Sequence, residues 1–180
     1  MKMAEKSWFQ KRIGSLFSNK DAEDRGEIIV ASPVAGEVLP LEEVNDPVFA
    51  SGAMGTGFAV KPVTNVAYAP VSGEVTIAFE TGHAYGLRTA QGVELLVHIG
   101  IDTVSLEGQG FDAKVKQGQM VEAGEVLAQF DPAVIADAGL EATTMIIVTN
   151  PAEFLQMERL AQGTTEVGEG LFALKRPGVQ

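Results

Sequence analysis

A seven-residue segment that occurs twice limits what this chain can fold into more than any other feature. Ser32-Pro33-Val34-Ala35-Gly36-Glu37-Val38 recurs 37 residues later as Ala69-Pro70-Val71-Ser72-Gly73-Glu74-Val75. A proline where a strand begins and a glycine where the chain turns both suit short β-strands. A third variant, Val121-Glu122-Ala123-Gly124-Glu125-Val126, keeps only the Gly-Glu-Val turn. The period stops after two copies, which predicts an internal pseudo-repeat of a small β unit and not a solenoid. Twenty glycines and eight prolines punctuate the rest of the chain. Between them the pattern predicts strands from Glu27 onward, including 58–61, 85–89, 94–99, 111–115, 126–130, 145–149 and 171–175. Asp131-Pro132 predicts a helix over Pro132–Ala138, with aspartate at the cap and proline in the first turn. The sum is an all-β sandwich or barrel with one or two short helices.

The 180 residues suffice for one domain with a sizeable core. Residues 1–18 place Phe9, Ile13, Leu16 and Phe17 at helical spacing, with Trp8 beside them and cations elsewhere. That is the pattern of an amphipathic segment suited to an anionic membrane surface or to another chain. A polar linker, 19–26, follows, and the folded domain is expected over 27–176. Residues 1–20 carry a net charge of +4, against −11 for the whole chain, which leaves −15 on the remainder. An acidic body repels nucleic acid and favours encounter with basic protein surfaces. The absence of cysteine excludes a disulfide framework and any thiolate metal site. No apolar run reaches membrane-spanning length, and the start has no secretory signal, so a cytoplasmic protein is expected.

With no cysteine, a nucleophile or phosphate carrier in this chain points to one of its two histidines, His83 and His98. Imidazole is the side chain whose ordinary pKa lies near neutrality. The two lie 15 residues apart on either side of a turn-like Gln91-Gly92. That is the span of a two-stranded hairpin on which both rings can meet. In a strand Glu94–Ile99, Leu96 and His98 share one face and Leu95, Val97 and Ile99 the other. An imidazole among apolar neighbours is desolvated and stays neutral and nucleophilic. Thr81 is placed to fix the tautomer of His83. Phosphoryl chemistry, metal binding and two buried structural histidines all remain open on the residues alone.

A longer pattern surrounds the second histidine: Gly92-x-x-Leu95-Leu96-Val97-His98-Ile99-Gly100-Ile101-x-Thr103-Val104. It resembles the active-site signature of the glucose-family IIA component of the bacterial phosphoenolpyruvate-dependent sugar phosphotransferase system. Pro33-Val34-x-Gly36-Glu37, Asp46-Pro47-Val48-Phe49-Ala50, Gly57-x-Ala59-Val60-Lys61-Pro62, Ala69-Pro70-Val71-x-Gly73, Phe79-Glu80-Thr81-x-His83-Ala84 and Gly118-Gln119-x-Val121 follow in the family's order. The likeness covers roughly residues 28–176. It implies an antiparallel β-sandwich of the barrel-sandwich hybrid type. It also implies that His98 accepts a phosphoryl group from phosphorylated HPr, through Nε2, and passes it to a IIB domain. His83 would brace the phosphoryl oxygens, with Thr81 orienting it. Asp46, Asp102, Phe49, Phe79, Leu96 and Val104 match positions that meet partner proteins, the aspartates facing basic residues. Tyr85 stands where the family often has phenylalanine.

The resemblance further implies a phosphorylation-dependent regulator whose partners, permeases or kinases, prefer the unphosphorylated form. No cofactor is required, although His83 and His98 could share an interfacial zinc with a partner's carboxylate. A zinc hydrolase of related β-architecture is the alternative from another class. It needs an aspartate four residues after the first histidine, where this chain has Leu87, and a second histidine beside His98 that the sequence lacks. A lipoyl- or biotinyl-carrier domain shares the turn-rich frame of Lys116-Gln117-Gly118-Gln119-x-Val121-x-x-Gly124-x-x-Leu127. Its Met-Lys-Met attachment site has a counterpart only at Met1-Lys2-Met3, where no hairpin is predicted. The chain ends shortly after the last predicted strand, so no fused IIB or IIC domain is expected.

Overall fold

The computed structural model describes residues 26–154 and 156–177. The leader 1–18, and all of the linker 19–26 except Gly26, lie outside the described residues. Every strand pairing is antiparallel. One large sheet runs in the order β13 (Thr164–Thr165), β2 (Gly36–Pro40), β3 (Thr56–Pro62), β11 (Thr144–Val148), β7 (Glu94–Ile99), β6 (Ala84–Arg88), β5 (Gly73–Ala78) and β9 (Met120–Val121). Two three-stranded sheets face it. They are β1 (Glu27–Ala31), β14 (Gly170–Lys175) and β12 (Gln156–Arg159), and β4 (Val66–Tyr68), β10 (Val126–Phe130) and β8 (Phe111–Ala113). The predicted sandwich is therefore present, with two short α-helices among the described residues, α1 (Pro47–Ala50) and α2 (Pro132–Asp137). Asp131 caps α2 as its sequence predicts, its carboxylate accepting from the Ala133 N–H at 2.9 Å.

The repeated heptapeptide becomes a pseudo-twofold arrangement. Its two copies lead into β2 and β5, each one strand in from an opposite edge of the large sheet. The copies also clasp each other: the Ala31 N–H donates to the Pro70 carbonyl, and the Tyr68 N–H donates to the Pro33 carbonyl, both at 3.0 Å. The third variant turns at Gly124-Glu125 into β10, as its residues predict. It is the segment that pairs with the second copy, through the Ala69 N–H to the Glu125 carbonyl and the Gly124 N–H to the Ala69 carbonyl. Gly168 and Glu169 serve the first copy in the same way at Ser32.

Alternation within the large sheet makes two apolar clusters. Val38, Val60, Ile146, Val97, Tyr85 and Val75 point inward, against Val30 and Phe172 from one small sheet and Ala67 and Leu127 from the other. The opposite face carries Leu39, Ala59, Met145, Ile147, Leu96 and Ala84, covered by Leu41, Val44, Phe49 and Ile101. The central strand β11 is buried along its whole length, which is why Met145–Val148 is a continuous apolar run.

The repeated glycine has a steric role. A Cβ on Gly36 would lie 1.8 Å from the Lys61 carbonyl oxygen, and one on Gly73 would lie 2.2 Å from that of Arg88. Backbone occupies the space a side chain needs, so the neighbouring strand would have to move. Gly36→Ala and Gly73→Ala should each lower the unfolding free energy by about 3 kcal/mol, the upper range for overpacking. Urea denaturation tests this, and an alanine variant as stable as the parent would contradict the close approach.

Candidate active site

His98 lies one residue from the end of β7, between Met145 of β11 and Ala84 of β6 in the ladder. Leu96 shares its face, as alternation requires. Past the strand, Gly100 is held by its N–H on the Thr143 carbonyl at 3.0 Å, and the Thr103 hydroxyl donates to the Ile99 carbonyl. This anchored turn presents the Gly100 carbonyl to His98 Nδ1 at 2.8 Å. A carbonyl only accepts, so Nδ1 carries the proton and Nε2 keeps its lone pair. Burial pushes the His98 pKa below its ordinary value, opposed by the Gly100 bond and by the charges of Asp46 and Asp102. The ring is thus a neutral imidazole at pH 7.

His83 reaches the same spot by a different route from the one its spacing predicts. The hairpin of β6 and β7 exists, but Ala84 is opposite His98, and His83 precedes the strand. Its carbonyl accepts from the Ile99 N–H at 2.7 Å, and Ile99 faces the core. Regular alternation would therefore send the His83 side chain inward, away from His98. The bend at Thr81–His83 turns it back, so the two rings meet edge to face with centroids 4.9 Å apart. The Thr81 hydroxyl lies 2.6 Å from His83 Nδ1, the contact its sequence position predicts. His83 is 3% exposed. Burial, and secondarily the charge of His98, push its pKa down to about 4.

Aromatic rings flank the pair. Phe49 stands edge-on to His98, with centroids 5.0 Å apart, and Phe79 lies 5.2 Å from His83. Phe49 and Leu96 are buried beneath the surface, whereas Phe79 and Val104 are 46% and 53% exposed. Val48 and Ile77 extend the exposed apolar rim and were not predicted. Asp46 caps α1, its carboxylate accepting from the Val48 and Phe49 N–H groups at 2.8 and 3.2 Å. The Asp46-Pro47 pair carries the same helix-start signal as Asp131-Pro132, and that signal locates the helix bearing Phe49. Asp102 is exposed in a left-handed backbone conformation, φ 56°.

Among the described residues no group of three or more His, Cys, Asp or Glu is placed to hold a metal ion. The two imidazoles supply two ligands, and the third that a hydrolytic zinc site needs is missing from this group. Among these residues no helix is long and apolar enough to cross a membrane.

A β-sandwich with two neutral imidazoles paired on one apolar face is suited to phosphoryl chemistry, and comparison with known proteins identifies the family. The model of the phosphoenolpyruvate-dependent sugar phosphotransferase system family EIIA 1 matches residues 28–154. A glucose-specific EIIA component of Oceanobacillus iheyensis is 43% identical over 155 residues, 86% of this chain and 93% of that protein. The β-glucoside-specific EIIBCA component of Dickeya chrysanthemi is 45% identical over 143 residues, and the chain spans 23% of that protein's length. The solved glucose permease IIA of Mycoplasma capricolum superposes with a TM-score of 0.79 at 40% identity, over 83% of this chain and 96% of that one. The chain belongs to the EIIA 1 family of the phosphoenolpyruvate-dependent sugar phosphotransferase system and is a phosphocarrier of that system.

The buried, neutral His83 makes stability depend on pH. Its folded pKa of about 4 lies below the ordinary 6.5, so the unfolded chain binds the extra proton between those values. Stability present above pH 6.5 should fall progressively as the pH drops towards 4, by on the order of 3 kcal/mol for this group. His98 adds in the same direction. Urea melts from pH 7 to 4 should show a flatter slope for His83→Gln than for the parent, and equal slopes would contradict a neutral buried ring.

Proposed function

We propose that His98 is the phosphorylated residue, taking its phosphoryl group from the phosphohistidine of HPr and delivering it to a IIB domain of a sugar permease. The observation that carries this reading is the Nδ1–Gly100 hydrogen bond, which places the proton on Nδ1 and leaves the Nε2 lone pair to act as the nucleophile. In the first step the Nε2 lone pair attacks phosphorus in line. The N–P bond of the donor breaks, and its electron pair returns to the donor imidazole. The Nδ1–H stays in place, and the Gly100 carbonyl stabilises the positive charge that the phosphorylated ring acquires. In the second step the nucleophile of the IIB domain attacks the same phosphorus, and the electron pair returns to Nε2.

His83 braces the phosphoryl oxygens. With the Thr81 hydroxyl donating to Nδ1, the Nε2–H of His83 is left to donate to them. The apolar rim of Val48, Phe79 and Val104 seats the partner and excludes the water that would hydrolyse the phosphohistidine. Asp46 and Asp102 attract a basic partner surface. Fusion of an EIIA segment to B and C components in relatives such as that of Dickeya chrysanthemi supports a IIB acceptor. The reading places the exchange in the cytoplasm, with the leader 1–18 available to meet an anionic membrane. Phosphorylation adds about −1.5 to −2 charge to this apolar face. Regulatory permeases or kinases that dock there therefore prefer the unphosphorylated form, and a zinc ion shared with such a partner would use His83 and His98.

Intact-protein mass spectrometry after incubation with phosphoenolpyruvate, enzyme I and HPr tests the central step. The parent should gain one acid-labile phosphoryl group and His98→Gln none, while His83→Gln is phosphorylated but passes the group to a IIB domain only at a small residual rate. A phosphorylated His98→Gln protein overturns the assignment. Asp46→Asn and Asp102→Asn should each slow uptake from phosphorylated HPr by roughly tenfold at low salt and weaken its salt dependence. Stopped-flow transfer at two ionic strengths reads both effects, and unchanged rates would remove the aspartates from docking.

A further inference from the structure

Tyr85 lies on the opposite face of the large sheet from His98, within the main core, and is completely buried. Its hydroxyl nevertheless reaches back to the site, donating to the Gly82 carbonyl at 2.9 Å. That carbonyl belongs to the peptide unit joining Gly82 to His83, so a bond to its oxygen also sets the plane from which the His83 backbone departs. The rest of the bend is held as tightly. The Gly82 N–H donates to the Phe79 carbonyl at 2.8 Å, and the Phe79 N–H donates to the Ala84 carbonyl at 3.2 Å.

Gly82 sits at φ 70°, in the left-handed region. A Cβ there would lie 3.1 Å from Phe111 Cβ and 3.6 Å from the Tyr85 hydroxyl. The peptide thus has Phe111 and the tyrosine hydroxyl as its floor. Burial, and secondarily the nearby Asp112 charge, push the Tyr85 pKa up to about 12, which keeps the hydroxyl a donor. Because regular alternation would turn His83 away from His98, whatever holds this bend also holds the ring pair.

We propose that Tyr85 is a positioning residue for phosphoryl transfer, its buried hydroxyl locking the Gly82–His83 peptide so that the His83 ring faces His98. This rests on the reading of His83 as the group that braces the phosphoryl oxygens. Phenylalanine, which the family often has at this position, fills the same volume and deletes only the hydrogen bond, so Tyr85→Phe isolates what the hydroxyl adds in this chain from core packing.

The test is a double-mutant cycle of Tyr85→Phe and His83→Gln in the full chain, read by the rate of phosphoryl transfer to a IIB domain and by the ring nitrogen resonances of His83. Tyr85→Phe should be phosphorylated by HPr to full stoichiometry yet transfer about fivefold more slowly, as a small misplacement of a contacting group would cause. Its His83 nitrogen resonances should shift towards a mixture of tautomers as the Thr81 contact loosens. In the His83→Gln background the same substitution should change residual transfer by less than about twofold. Parental rates and resonances in Tyr85→Phe would overturn the proposal. So would a transfer loss of equal size with and without His83, which would make the tyrosine a structural residue. Phosphorylation of His98→Gln would instead defeat the carrier reading, while the resonances of His83 would still report on Tyr85.

Discussion

The two-sided burial of β7 is the constraint on which both fold and site depend. Leu95, Val97 and Ile99 close the main core, while Leu96 and His98 look the other way into a second apolar cluster. A slip of one residue would place the imidazole in the main core and drive Leu95, Val97 and Ile99 out of it. The register that satisfies the core therefore also delivers His98 to the surface. Pairing with β11 on one side and β6 on the other leaves the strand no edge along which to drift.

The second cluster explains why the histidines stay neutral. Leu41, Val44 and Phe49 arrive on the short segment that includes α1, and they cover the sheet beside His98. Taking an imidazole out of water disfavours its charged form, so both rings are shifted downward. Asp46 and Asp102 oppose that shift at His98 without reversing it. Asp46 does two things at once, because the same carboxylate that acts on His98 caps the helix that supplies Phe49.

Much of this was legible in the residues. The strand 94–99 and its alternation, the Thr81–His83 contact, the helix at Asp131-Pro132 and the paired heptapeptides all follow from local pattern. Local pattern fails where the backbone leaves a regular element. His83 is brought to His98 by a bend, and its nominal place in the hairpin would have pointed it inward. Val121–Val126 makes the Gly-Glu-Val turn into a strand that its residues predict, but its pairing with one copy of the repeat was not legible, since hydrogen bonds between distant segments leave no mark at either one.

By itself the sequence determined the β-rich class, the two imidazoles and a signature specific enough to identify the family. Those properties reside in residue type, spacing and short-range alternation. The tertiary structure alone decided that the rings stand 4.9 Å apart, and that Phe49 and Leu96 support the site from below while Phe79 and Val104 face outward. Each of these depends on how strands far apart in the chain are packed and on which groups that packing removes from water, and neither is encoded at a single position.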